Sequence, residues 1–219
     1  MGDAPFGGVA CNDDNIRGGT MLQKLSSLVQ TLVIATAICA MSTAIAVAQT
    51  PAPAGRPFAL TSPNLRDGAF LDKHFAGPTD AQNSCGGDNV SPPLQWSNAP
   101  ANTKSFAVIL YDFEGARGPG VVHWIAYGIA PDVTSLAEGE GTTPSPRMTG
   151  GSNMRQLATY FGPCSPPTDS PHHYIYSVYA LDVPRDELPA GLTRDQFLAK
   201  VKGRVLSMTS LVATYQRSK

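Results

Sequence analysis

Four short runs of apolar, β-branched and aromatic residues constrain the fold of this chain more than any other feature of its sequence. Each run is bounded by proline, glycine or asparagine, which is typical of a β-strand between turns. The runs are residues 58–61, 105–111, 121–129 and 174–181. Glycine and proline number 21 and 19 of 219 residues, an abundance that favours turns and short strands over long helices. The sequence therefore predicts a mainly β, β-rich α+β fold.

Three segments add detail to this prediction. Residues 121–129 are apolar at both alternating positions except at His123, so we predict a central strand that is covered on both faces. The one clear helical pattern is residues 193–202, where Thr193 can cap the helix and three apolar residues share a face. Residues 205–215 fit a strand or a helix-to-strand segment, and their apolar periodicity does not decide between the two.

The most apolar stretch of the chain lies near its N-terminus, at residues 25–48. Lys24 precedes this stretch and a small-x-small sequence ends it at Ala48, as in a secretory signal peptide. Residues 1–20 contain aspartates that do not suit the flank of a signal peptide, so we predict that translation starts at Met21. Cleavage after Ala48 would release a periplasmic or secreted protein.

Two alternatives to a cleaved signal peptide are less well supported. An uncleaved membrane anchor would need about 20 apolar residues, whereas this stretch contains Ser26, Ser27 and Gln30. A lipoprotein would need a small residue before the modified cysteine, whereas Ile38 precedes Cys39. We therefore expect no membrane span after signal cleavage.

The remaining chain has the composition of one globular domain. Residues 1–48 are predicted to be the N-terminal extension and signal peptide, the proline-rich residues 49–57 a linker, and residues 58–217 a single domain. The chain has 16 Lys and Arg against 17 Asp and Glu, a formal net charge of −1. Because no basic excess is available to neutralise phosphates, we predict no nucleic-acid partner.

Two cysteines, Cys85 and Cys164, follow the predicted cleavage site. An even pair in an oxidising compartment, with each cysteine in a loop rich in glycine or proline, favours one disulfide. Two unrelated buried thiols are the alternative.

Titratable side chains occur at the ends of the predicted strands or within them. Asp112 directly follows residues 105–111, His123 lies within the next run, and His172 precedes the run that begins at Tyr174. A carboxylate beside imidazoles can form a small pocket for an anion or a polar head group. The alternative is that these groups only satisfy one another within the core.

The sequence contains no clear pattern of a metal site or an enzyme. His172 and His173 are adjacent, so on a strand they point to opposite faces, and no two histidines have the spacing of a local chelate. The chain lacks a G-x-S-x-G motif, and its paired glycines lack the Lys-Ser/Thr of a phosphate-binding loop. We therefore expect no metal, no cofactor and no catalytic activity.

Five sequence blocks occur in a characteristic order: GGDNVSPPLQW (86–96), APANTKSFAVILYD (99–112), GVVHWIAYGI (120–129), YFGPCSPP (160–167) and HHYIYSVYALD (172–182). Together they resemble the signature segments of the phosphatidylethanolamine-binding protein family, in its bacterial Raf-kinase-inhibitor-like branch. The resemblance covers most of residues 58–217. It implies a large antiparallel sheet packed on a smaller sheet, with a few short peripheral helices.

The resemblance also implies a set of functional residues. The segment DFEGA (112–116) stands where the family usually has DPDAP, and Cys85 and Cys164 resemble a cysteine pair that is common in exported bacterial members. The implied function is the binding of a small anion or phosphorylated head group by an exported protein. The alternative is a non-catalytic protein-interaction module that resembles the family's kinase and protease inhibitors. The ligand-binding residues implied by the match are Asp112, His123, His172 and Tyr174, with Gly162 and Pro163 in the loop at the pocket rim.

Overall fold

The computed structural model describes residues 55–80, 84–167 and 170–217 of the chain. The predicted N-terminal extension, signal peptide and cleavage site, and most of the linker, lie outside the described residues. Within them the chain forms two β-sheets, one short α-helix and two single-turn 3-10 helices.

A six-stranded sheet forms the centre of the described domain. All neighbouring strands in it are antiparallel except β2 and β9, which pair in parallel at one edge. A smaller antiparallel sheet has three strands, so the predicted mainly β fold with a large and a small sheet is confirmed. The large sheet has the spatial order β2 (Ala69–Phe70), β9 (Val205–Tyr215), β8 (His172–Leu181), β4 (Ser105–Asp112), β5 (Val121–Ile129), β7 (Thr149–Gly150), and the small sheet β1 (Ala59–Thr61), β3 (Leu94–Ser97), β6 (Ser135–Leu136).

Both faces of the large sheet are covered by apolar packing. Phe106, Val108 and Leu110 of β4 belong to the core that includes the small sheet, whereas Ala107 and Ile109 pack on the opposite face. Because side chains alternate across a strand, a run buried on both faces is apolar at every position. Strand β5 is buried in the same way along most of its length, as the sequence predicted.

The opposite face of the large sheet packs against the helix α1 (Arg194–Lys200), which is shorter than the predicted 193–202. The side chain of Thr193 accepts a hydrogen bond from the Gln196 backbone, and Gln196 reciprocates at the Thr193 backbone. This capping box fixes the start of the helix. The helix ends before Gly203, whose φ of 76° suits the left-handed turn that follows.

Residues 205–215, which the sequence left undecided, form strand β9 throughout. Strand β8 pairs with β9 along its length, whereas β2 pairs only at Ala213 and Thr214. The first part of β9 therefore has one edge unpaired among the described residues. Exposed positions of β9 include both apolar and polar side chains. The sequence therefore shows no simple alternation of apolar and polar residues over this strand.

No helix within the described residues is long and apolar enough to cross a membrane.

Candidate functional site

The antiparallel register of three strands brings the predicted site residues together. Strand β4 ends at Asp112, which lies opposite Tyr174 of β8 and Val121 of β5. Because both neighbours run antiparallel to β4, its C-terminal end meets the N-terminal ends of β5 and β8. These ends carry His123 and His172, so residues far apart in sequence converge at one end of the three central strands.

Asp112 and His172 form a buried pair. The His172 Nδ1 atom lies 2.9 Å from Oδ2 and 3.1 Å from Oδ1 of Asp112. The Oδ1 atom also accepts backbone hydrogen bonds from Glu114 and Gly115, at 3.1 and 2.9 Å. Both side chains are almost fully buried, and these contacts compensate the carboxylate for its loss of water.

His123 presents one nitrogen to the protein and the other to the site. Its Nδ1 lies 3.0 Å from the carbonyl oxygens of both Phe161 and Gly162, so Nδ1 carries a proton and donates to them. Its Nε2 has no hydrogen-bond partner among the described residues and lies 3.9 Å from Oδ2 of Asp112. Burial lowers the pKa of His123 below its usual 6.5, against the opposing effect of the Asp112 charge. The imidazole is therefore neutral at neutral pH, with a lone pair on Nε2.

Tyr174 supports both histidines from β8. Its ring lies edge-on to that of His123, with centroids 5.2 Å apart, and is roughly parallel to that of His172 at 6.3 Å. Its hydroxyl accepts a hydrogen bond from the Cys164 backbone at 3.2 Å. Burial raises the pKa of Tyr174, and the Asp112 charge raises it further, so the hydroxyl keeps its proton.

A cavity of about 340 Å³ opens beside these groups. Asp112, His123 and His172 line it, whereas Tyr174, Gly162 and Pro163 are not among its lining residues. Tyr174, Gly162 and Pro163 as direct ligand contacts therefore remain predictions. The other lining residues are Glu114, Gly115, Ala116, Arg117, Val121, Met154, Cys164 and Pro166.

The loop at Gly162 and Pro163 acts as a support for the site. The carbonyl of Gly162 accepts from His123, and its N–H donates to the Asn89 side chain at 2.9 Å. The carbonyl of Pro163 accepts from the N–H of Gly77, also at 2.9 Å. The loop thus fixes the orientation of the His123 ring, because its carbonyl oxygens accept hydrogen bonds from the Nδ1–H group.

The sequence did not single out several residues of the site. Asn153 holds the backbone of His123, because its Nδ2 donates to the His123 carbonyl at 3.0 Å. Met154 and Arg117 line the cavity directly. One signal could have indicated Arg117, since it is the only Lys or Arg between Lys104 and Arg147 and follows Asp112 by five residues.

A disulfide joins Cys85 and Cys164, which confirms the predicted pairing. The sulfur atoms lie 2.00 Å apart and the two cysteines are separated by 79 residues. Cys164 lines the cavity, and the bond ties its loop to the segment around Cys85. The hydroxyl of Tyr215 donates to the Cys85 carbonyl at 2.6 Å and holds that segment on β9.

Asp112, Glu114 and His172 could also be considered as metal ligands, because each offers one atom within 4.8 Å of the others. His172 and His173 point to opposite faces of β8, as predicted, and His173 lies outside this group. In the structure Glu114 accepts from Nδ1 of His173 at 2.7 Å and from its N–H at 2.8 Å. The carboxylates thus already accept hydrogen bonds from imidazoles and backbone, and the absence of a metal stays a prediction.

Comparisons with known proteins identify relatives over most of the domain. Residues 61–216 match the sequence model of a family described as phosphatidylethanolamine-binding protein. A Mycobacterium tuberculosis protein provisionally named lipoprotein LppC is 38% identical over 169 residues, which cover 77% of each chain. The UPF0098 protein YbhB of Escherichia coli is 32% identical over 163 residues, 71% of this chain and 98% of that protein.

Solved structures agree with the sequence matches. The crystal structure of Escherichia coli YbcL, described as a new member of the mammalian PEBP family, superposes with a TM-score of 0.67 at 28% identity. The match covers 74% of this chain and 99% of YbcL. A Chlamydia trachomatis homologue, CT736, gives a TM-score of 0.62 at 30% identity and covers 74% of this chain and 98% of its own.

Proposed function

This chain belongs to the phosphatidylethanolamine-binding protein family, and on that basis we propose that it binds a small anion or a phosphorylated head group in the cavity beside Asp112, His123 and His172. The role is recognition without catalysis. The cavity lining contains no serine or threonine among the described residues, and its one cysteine, Cys164, is held in a disulfide. This lining therefore offers no serine or threonine hydroxyl and no free thiol as a nucleophile.

The observation that carries the proposal is the Nε2 atom of His123. It is buried, it has no hydrogen-bond partner in the part of the chain that the structure describes, and its imidazole lines the cavity. A buried polar atom without a partner is costly unless a bound group satisfies it. When protonated, this nitrogen donates to an anion, and the nearby Asp112 carboxylate stabilises the resulting imidazolium.

The test is titration calorimetry with phosphate, phosphorylethanolamine and acetate. We expect the wild type to bind at least one of the three anions. The double variant His123→Ala, His172→Ala should bind that anion about 100-fold more weakly, because hydrogen bonds to a charged ligand are lost. His74→Ala is the control, because His74 is exposed and does not line the cavity. No binding by the wild type, or equal binding by a folded double variant, contradicts the proposal.

A second prediction concerns pH. The pKa of His123 is lowered by burial in the free protein, and an anion at Nε2 would raise it, so binding takes up a proton. Affinity should therefore increase as the pH falls from about 8 to about 5. Sulfate is the suitable probe because its own charge does not change over this range. Calorimetry in buffers of different ionisation enthalpy measures the proton uptake. A sulfate affinity that is constant or rises with pH would exclude this mechanism.

We also propose that the protein is exported. The name of the mycobacterial relative and the Cys85–Cys164 disulfide support this proposal, since disulfides persist mainly in oxidising compartments. Cell fractionation and mass analysis of the native protein should find it outside the cytoplasm, with Gln49 as its first residue. A lipid on Cys39 would overturn the predicted cleavage site but not export, whereas a full-length cytoplasmic protein would overturn both.

A protein-interaction function is the alternative, and one surface favours it. Val205, Leu206 and Met208 expose 40%, 38% and 52% of their surface on the part of β9 whose outer edge is unpaired among the described residues. Apolar edge strands are common places for pairing with another chain. If the wild type binds none of the three anions, this surface becomes the leading candidate.

A further inference from the structure

Arg117 is a charged residue that lines the cavity. It is exposed, and it makes no hydrogen bond, ion pair or ring contact with the residues that the structure describes. Its backbone is left-handed, with φ of 60°, and so is that of Ala116, with φ of 53°. Non-glycine residues adopt this conformation at an energetic cost, and two in succession turn the chain at the cavity mouth.

The two carboxylates that line the cavity already accept hydrogen bonds from other protein groups. The Asp112 carboxylate accepts from His172 Nδ1 and from two backbone N–H groups. Both Glu114 oxygens accept from His173, and this interaction lowers the pKa of Glu114 against the effect of burial. Arg117 thus adds to the lining a positive charge that forms no ion pair with the described residues.

Arg117 also lies where two cavities adjoin. A second, more open cavity of about 340 Å³ shares Glu114, Arg117 and His172 with the first. Arg117 and His123 line the same cavity, the first as an exposed side chain and the second as a buried one. A guanidinium on the exposed side and an imidazole on the buried side are thus both available to an anion in this cavity.

We propose that Arg117 is a specificity-determining residue that makes the site select doubly charged tetrahedral anions, such as phosphate and phosphomonoesters, over monocarboxylates. This inference rests on the proposed anion-binding function. A guanidinium presents several N–H donors in a planar fork that matches a phosphoryl group, and its attraction to a dianion is twice that to a monoanion at the same distance.

The test is calorimetry of the wild type, Arg117→Met and Arg117→Gly with inorganic phosphate, phosphorylethanolamine and acetate at neutral pH. Both variants should bind phosphate about five- to tenfold more weakly, and acetate less than about twofold more weakly. The expected losses are modest because solvent partly screens the contact between Arg117 and the anion. Arg117→Gly removes the side chain without backbone strain, because glycine accepts a positive φ. Arg66→Met is the control, since Arg66 is exposed and lines neither cavity.

The titrations with inorganic phosphate and with phosphorylethanolamine distinguish the two sources of the anion. Equal losses for phosphate and phosphorylethanolamine support recognition of the phosphoryl group itself, and a loss for phosphate alone restricts the role of Arg117 to the free ion. Unchanged phosphate affinity in both variants, or equal losses for phosphate and acetate, overturns the role of Arg117 and leaves the proposed function standing. A wild type that binds none of the three ligands overturns the proposed function as well.

Discussion

Removal of the Cys85–Cys164 disulfide is expected to lower the free energy of unfolding by about 2–5 kcal/mol. The bond closes a loop with a sequence separation of 79 residues, so its loss gives the unfolded chain much more conformational freedom. Denaturant titrations of the wild type, with and without reductant, measure the difference. Cys85→Ala with Cys164→Ala should reproduce the reduced protein.

The control for this measurement is the same double variant with reductant. The chain contains four cysteines, so a reductant effect that persists in the variant would come from Cys11 or Cys39. Equal unfolding midpoints for the oxidised and reduced wild type would show that the bond adds no stability. Because Cys164 lies two residues after Gly162, whose carbonyl holds His123, anion affinity should fall along with stability.

Gly162→Ala is expected to lower the free energy of unfolding by about 3 kcal/mol, because overpacking beside a rigid backbone forces the chain to shift. A Cβ at this position would lie 2.4 Å from the Phe75 carbonyl oxygen, 2.5 Å from the Ala76 carbonyl carbon and 2.6 Å from the Gly77 nitrogen. None of these is the flexible end of a side chain. Thermal and denaturant unfolding measure the loss.

Gly55→Ala is the matched control, because a Cβ there would meet no atom within 4 Å. Displacement of the Gly162 carbonyl should also release the proton of His123 Nδ1 from one of its two acceptors. Anion affinity should therefore fall in Gly162→Ala and remain unchanged in Gly55→Ala. A Gly162→Ala protein as stable as the wild type would contradict this prediction and show that the backbone of residues 75–77 shifts at little energetic cost.

The sequence alone determined the main features of the fold, because they depend on local patterns. Residues 106–110 are apolar at every position, and the structure buries them on both faces of a central strand. The helix beginning after Thr193 was visible from its cap and spacing. The pattern of residues 205–215 does not decide between a strand and a helix, because the first part of this strand is largely exposed and its last three residues are buried.

The site depended on information that no local pattern contains. The sequence indicates Asp112, His123 and His172 as titratable groups at the ends of strands or within them, and the resemblance to the family implies that they share one pocket. Their actual contacts follow from strand register, since Asp112 and His172 are 60 residues apart. No local pattern indicates Arg117, because a turn with two left-handed residues brings it to the cavity.

The protonation of His123 depends on contacts that exist only in the folded protein. Its identity and its place within an apolar strand are sequence properties. Two carbonyls from a loop about 40 residues away hold the proton on Nδ1. The other nitrogen is then left buried beside a carboxylate, without a hydrogen-bond partner. Hydrogen bonding and burial act through space, so the chemical character of this imidazole is set by the fold around it.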